Sequence, residues 1–129
     1  MQVSRRINAP PQRVWEILID TEQWPVWGPS VTAVDFPKRW IEAGSAGRIK
    51  TAIGLWSEFE ITDFELMQYW GWKVAGLTAT GHRLIAHGDE HCELVFELPF
   101  IALPYALICR QAANRIARMA EGEKEQENG

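Results

Sequence analysis

The feature that most constrains this chain is a change of hydrophobic period. Over residues 31–98 apolar side chains recur at every second position in short runs, and over residues 101–119 they recur every three or four. A period of two describes half-buried strands, and a period near 3.6 describes one face of a helix. Strand-like runs at short spacing, with turn residues between them, make an antiparallel meander. Such a sheet buries one face and wets the other. A long amphipathic helix after it supplies a partner for the buried face.

The elements follow from that reading. Val3-Ser4-Arg5-Arg6-Ile7 alternates and predicts a first strand. Asn8-Ala9-Pro10-Pro11 breaks it, with Asn8 or Ala9 as a helix cap and Pro in the first turn, where a missing N–H costs nothing. Val14, Ile17 and Leu18 then predict a short helix over 12–19. Pro25 starts a second, smaller helix that Gly28-Pro29 stops. Strands are expected over 31–41 (interrupted by Pro37), 48–53, 55–66, 69–75, 78–87 and 92–98. Ile101, Tyr105, Ile108, Cys109, Ala112, Ile116 and Met119 mark the inward stripe of the last helix. The order is β-α-α-β-β-β-β-β-β-α, an α+β chain whose residues 1–121 form a single domain and whose residues 122–129 are an acidic, disordered tail.

Composition narrows the function. The net charge is −4, residues 121–129 supply −3 of it, and no cluster of five or more Lys/Arg occurs. Nucleic-acid binding then loses its main electrostatic contribution, and attraction to anionic membranes is weak. Cys92 and Cys109 stand far apart without a metal or redox spacing and read as free, buried thiols. No apolar leader opens the sequence and no run of 18 apolar residues occurs. The expectation is a cytoplasmic protein without integral membrane association and without a cofactor. Seven Trp, five Phe and two Tyr in 129 residues either fill a core or wall a cavity.

Particular segments carry a family resemblance. Residues 7–20, Ile-Asn-Ala-Pro-Pro-Gln-Arg-Val-Trp-Glu-Ile-Leu-Ile-Asp, resemble the opening of the START/Bet v 1-like (SRPBCC, polyketide cyclase/dehydrase-like) superfamily. Trp24-Pro25-Val26-Trp27 resembles its second-helix motif. Gly81-His82-Arg83 and the hairpin around Gly88-Asp89-Glu90 resemble its last two strands. The resemblance implies a helix-grip fold: a curved antiparallel sheet of six or seven strands wrapped around a long C-terminal helix, with two short helices after the first strand. It implies carriers of lipids or steroids, hormone binders, aromatase/cyclases or co-chaperones. A fold does not choose among them.

A sheet bent around a helix leaves space for a small hydrophobic ligand. The expected inward faces carry Phe59 and Ile61, Trp70 and Trp72, His82 and Leu84, and Leu94 and Phe96. The last helix adds Tyr105, Ile108, Cys109 and Ala112, and Trp24 and Trp27 sit near the mouth. Alternatively, these side chains fill the space completely. If the scaffold is an enzyme, of cyclase/dehydratase or hydrolase type, His82 and Tyr105 are its candidate acid/base and orienting groups. Arg83 is expected to face solvent, Asp63 to be turned out by a bulge, and Glu58 and Glu60 to lie on the wet face. His87, His91 and Cys92 are too loose a set for zinc. Trp40 and Trp56, the latter on a polar face, suit a third reading as an interaction module, and a homodimer stays open.

Overall fold

The computed structural model describes residues 1–99 and 103–128, and in the last helix the side chains of 105–122. The chain runs β1 (Gln2–Ile7), α1 (Pro11–Ile19), α2 (Trp24–Trp27), β2 (Val31–Asp35), β3 (Ala46–Thr51), β4 (Trp56–Glu65), β5 (Tyr69–Val74), β6 (Leu77–Ala86), β7 (Cys92–Glu97) and α3 (Leu103–Asn128). The strands form one seven-stranded antiparallel sheet in the order β1-β7-β6-β5-β4-β3-β2. Only β1 pairs out of sequence, with Val3 opposite Phe96 and Ile7 opposite Cys92. The sheet curves around α3, the helix-grip arrangement.

Three register shifts help the sheet bend. They fall between Val31 and Ala33, Ile61 and Asp63, and Gly71 and Lys73. A bulge adds a residue to one strand and increases its local twist. At the second shift the burial phase of β4 changes: Phe59 and Ile61 point inward, Asp63 is exposed, and Phe64 takes the half-buried position. On the outer face Gly71 and Gly81 stand opposite each other, and the Tyr69 ring lies across Gly81.

Helix α3 packs chiefly on β1, with α1 and α2 on its flanks. Its buried stripe includes Ala106, Cys109, Ala112, Ala113, Ile116, Ala117 and Ala120. Alanine methyls let the helix axis lie close to the sheet. Polar bonds to β1 and to the residue just after it help fasten it there. Arg5 Nη1 donates to Asn114 Oδ1 at 2.5 Å, and the Asn8 N–H donates to Glu121 Oε2 at 2.8 Å.

Several boundaries differ from expectation. Pro10, with no side-chain bond, occupies the cap position of α1 instead of Asn8 or Ala9. The strand expected over 31–41 ends at Asp35, before Pro37. The rest of that segment is held by Asp20, which is buried and takes a two-pronged bond from Arg39 at 2.8 and 3.0 Å. Leu55 precedes β4 and is 61% exposed. The α3 backbone continues past Gly122, so that glycine does not stop the helix where the tail was expected to begin. Ile101, the side chains of 123–128 and residue 129 lie outside the described residues.

Candidate functional site

The space beneath α3 is occupied largely by aromatic rings. Trp24 stacks on Trp70 at 5.4 Å and 13°, and meets Phe59 and Trp72 edge-on at 5.3 and 5.4 Å. The indole N–H groups of the two α2 tryptophans are satisfied by α1: Trp24 Nε1 donates to Leu18 O at 3.0 Å and Trp27 Nε1 to Ile17 O at 3.4 Å. These bonds pin α2 and its rings over the sheet. The His82 ring lies on Trp70 at 3.8 Å and 18°, with Phe96 edge-on at 5.2 Å.

What remains enclosed is a hollow of about 40 Å³, bounded by Trp24, Trp27, Trp70, Trp72, Thr80, His82, Phe96, Tyr105, Ile108 and Ala112, with Pro29, Ser30 and Val31 at its edge. That volume suits a water-sized group, not a lipid. The indole rings therefore fill most of the expected interior cavity. Phe59, Ile61, Leu84, Leu94 and Cys109 bound neither this hollow nor the groove beside it, and are packed core.

The larger apolar space lies at the mouth. A groove of about 410 Å³ is bounded by Ile49, Thr51, Ala52, Ile53, Leu55 and Ser57 from the β3–β4 hairpin, Val74 and Ala79 from β5 and β6, and Tyr105 from α3. Ser30, Val31, Trp72 and Tyr105 bound both the groove and the hollow, so the two are adjacent. None of the described lining residues of the groove is charged. Ile53 and Leu55 flank Gly54, whose φ of +85° makes the turn, and they are 80% and 61% exposed. In the sequence both residues of this rim have the character of strand ends, which hides it. Two large apolar residues flanking a turn glycine were the available signal.

A short polar relay crosses the boundary between groove and hollow. Trp72 Nε1 donates to Thr80 Oγ1 at 3.2 Å, and Thr80 also hydrogen-bonds the Tyr105 side chain. Burial raises the Tyr105 phenol above its ordinary range. His82 behaves in the opposite sense. Burial penalises its cation and lowers its pKa from 6.5 to about 3, although the bond to the Trp70 carbonyl opposes the shift. At neutral pH the imidazole is uncharged, with Nδ1 donating to Trp70 O at 3.2 Å and Nε2 as the remaining acceptor. Neither candidate acid/base group titrates near neutrality.

The other residues singled out fall elsewhere. Arg83 lies on the outer face, bonded to Glu97 at 2.7 Å and set over the Tyr69 ring at 4.5 Å. Glu58 and Glu60 are exposed beside Arg48 and Lys73 in a mixed-charge trough of about 490 Å³. His87 pairs with Glu93 at 3.3 Å, whereas Cys92 is buried with its thiol donating to Ala9 O at 3.6 Å, so the three His/Cys residues do not converge. Among the described residues no group of three or more His, Cys, Asp or Glu is placed to hold a metal ion. Cys92 and Cys109 are free thiols, each raised to about 11 chiefly by burial. Trp40 and Trp56 are exposed, and each carries a guanidinium over its face, Arg39 at 4.9 Å and Arg48 at 5.4 Å. Among the described residues no helix is long and apolar enough to cross a membrane.

Comparison with known proteins agrees with this geometry. The Zhui aromatase/cyclase from a Streptomyces species superposes with a TM-score of 0.67 at 14% identity, over 94% of this chain and 92% of that one. The di-domain ARO/CYC StfQ from the steffimycin biosynthetic pathway gives 0.73 at 16% identity, over 98% of this chain and 46% of that one. The protein XoxI from Bacillus cereus gives 0.69 at 11% identity, over 96% of both. At these identities the likeness is one of fold. No curated protein matches the sequence. The family described as "Polyketide cyclase / dehydrase and lipid transport" matches residues 1–121, and the chain belongs to that family.

Proposed function

We propose that this protein binds a small, neutral, hydrophobic molecule at the mouth of the grip, and carries or presents it without transforming it. One observation supports this above the rest: a groove of about 410 Å³ has no charged residue in its described lining and adjoins an aromatic hollow. Removing about 300 Å² of apolar ligand surface from water yields roughly 7.5 kcal/mol. The costs of ordering come out of that, so the expected affinity is micromolar or weaker. A lipid, an isoprenoid or an aromatic polyketide-like compound would rest in the groove, part of its surface still wet.

Two of the structural relatives, the Zhui aromatase/cyclase and the di-domain ARO/CYC StfQ, support an enzyme as the second reading. The chemistry of the site favours binding. An imidazole lowered to about 3 is a weak base, and a phenol raised above its ordinary range is a weak acid.

The test uses 1-aminoanthracene, a neutral fluorophore, with Ala79→Trp as a groove-filling variant. Ala79 is half-buried and bounds the groove but not the hollow. Dye fluorescence should rise on binding to the wild type and be competed away by apolar compounds. Ala79→Trp should weaken binding at least about tenfold while keeping its melting temperature within a few degrees. Absence of binding, or binding indifferent to Ala79→Trp, would refute the assignment.

A further inference from the structure

The two hairpin tips beside the groove share one composition. Residues 50–57 make the β3–β4 tip and residues 73–81 the β5–β6 tip, and neither run contains an acidic residue, although the chain holds 17 Asp and Glu. Each run has one lysine at its base, Lys50 and Lys73. Large aliphatic side chains stand in solvent on both tips: Ile53 and Leu55 on the first, and Leu77, 72% exposed, on the second. Singly such residues are ordinary, but grouped at one mouth they mark a contact surface.

The backbone fixes these positions. Thr51 N–H donates to Leu55 O at 2.8 Å and Gly54 N–H to Thr51 O at 2.9 Å, closing the first turn. Ala75 N–H donates to Glu58 O at 2.9 Å and ties the second turn to β4. Leu77 pairs with Val74, which bounds the groove, so both tips lie at the groove's end of the sheet. Trp56 follows the first tip, opposite Lys50, and is 46% exposed. Lys50 and Lys73 form no ion pair among the described residues.

An aliphatic tip, then an indole, then an ammonium is the order in which side chains meet a bilayer. Apolar groups enter the acyl boundary, Trp sits among the headgroups, and Lys reaches the phosphates. A folded partner fits less well. The four apolar side chains offer roughly 500 Å², below the about 800 Å² per partner of a stable protein interface, and they stand on two turns rather than one flat face.

We infer that the β3–β4 and β5–β6 tips form a docking surface for a phospholipid membrane, with Ile53, Leu55 and Leu77 inserted, Trp56 at headgroup level, and Lys50 and Lys73 against lipid phosphate. The attachment is peripheral, since it uses turn residues and no described helix crosses a membrane. The groove opens at the same end, so the docked protein exchanges an apolar guest with the bilayer. That consequence, unlike the docking itself, rests on the groove being the ligand site.

The experiment sediments the full chain with vesicles of phosphatidylcholine and phosphatidylglycerol in a four-to-one ratio. The wild type should partition onto them, and a Trp56→Gln/Leu77→Gln variant should do so at least about tenfold less, because apolar insertion drives the binding. Neither residue bounds the groove, so that variant should keep wild-type affinity for 1-aminoanthracene measured without vesicles. Lipids brominated near the top of the acyl chain should quench part of the wild-type tryptophan fluorescence. Trp56→Phe, which keeps an apolar ring, should abolish the quenching and still sediment. No sedimentation, equal partitioning of wild type and double variant, or quenching that survives Trp56→Phe would overturn the docking surface. So would a concentration-dependent dimer in sedimentation velocity that the double variant abolishes, since the tips would then belong to a second copy. Dye binding without vesicle binding removes the docking surface and leaves the groove, and vesicle binding without dye binding does the reverse. Should the double variant fail to fold, sedimentation and quenching of the wild type and Trp56→Phe decide the matter alone.

Discussion

Replacing Gly81 with alanine tests the packing that shapes the sheet. Gly81 faces Gly71 across β5 and β6, with the Tyr69 ring on the outer face. A Cβ at Gly81 would lie 2.8 and 2.9 Å from Tyr69 Cε2 and Cζ, and nearer still to the hydroxyl oxygen. Contacts that short require the ring to move. Tyr69 is half-buried and lies under the Arg83 guanidinium at 4.5 Å, so tipping it also separates that pair. Overpacking of this kind costs about 1–3 kcal/mol, and the lost cation–π contact about 0.5–1 kcal/mol. Alanine returns about 0.5–1 kcal/mol because it has less backbone freedom to lose than glycine. The net expectation is a loss of about 1–3 kcal/mol, or a melting temperature lower by about 4–11 °C. Urea unfolding followed by circular dichroism gives the number, and a cycle with Tyr69→Ala tests its origin. With the ring gone, Gly81→Ala should become neutral or slightly stabilising. An equal penalty in both backgrounds would refute the steric argument, as would a stabilising Gly81→Ala in the wild-type protein.

Further outcomes follow from residues already described. His82 has a pKa near 6.5 when unfolded and about 3 when folded, so the unfolded chain binds more protons between those values. Its contribution is therefore complete above about pH 6.5 and is lost as pH falls toward 3, with a slope approaching about 1.4 kcal/mol per pH unit. His82→Phe should flatten the stability profile in that window relative to wild type, and parallel profiles would count against it. Thr80→Val removes the acceptor of the Trp72 N–H and should destabilise by about 1–3 kcal/mol in urea, whereas Thr80→Ser should restore most of the loss. Ala75 has φ +53° and precedes Gly76 at φ +77° in the tight β5–β6 turn. Ala75→Asn should raise stability by about 0.5–1 kcal/mol, because asparagine tolerates that region better, and a lower melting temperature would exclude the explanation.

The fold was legible where burial leaves a periodic trace. Alternation along β4, β5 and β6 placed Phe59, Trp70, Trp72 and His82 inward, and the structure buries all four. The bulge at Asp63 could be suspected from one polar residue out of phase. Other features leave no such trace. Ala106, Ala113, Ala117 and Ala120 are buried on α3, yet alanine is so common in exposed helix positions that it marks no face. Whether aromatic rings wall a cavity or fill it depends on tenths of an ångström between α2, α3 and the sheet, which composition does not encode. The groove leaves no periodic trace for a related reason. Its rim at Ile53 and Leu55 acquires meaning only when the β3–β4 turn comes to lie near Tyr105 and Ala79, residues distant in the sequence.

The alanine stripe of α3 has a wider implication. These methyl groups act as spacers, and the thickness of the gap above the sheet is set by their size as much as by the rings within it. Swapping one of them for valine would jack the helix outward along its length, in the way a shim raises a lid. The volume of the hollow can thus be tuned from Ala106, Ala113, Ala117 and Ala120, which do not bound it. A search for specificity confined to contact residues would overlook the positions with the greatest leverage.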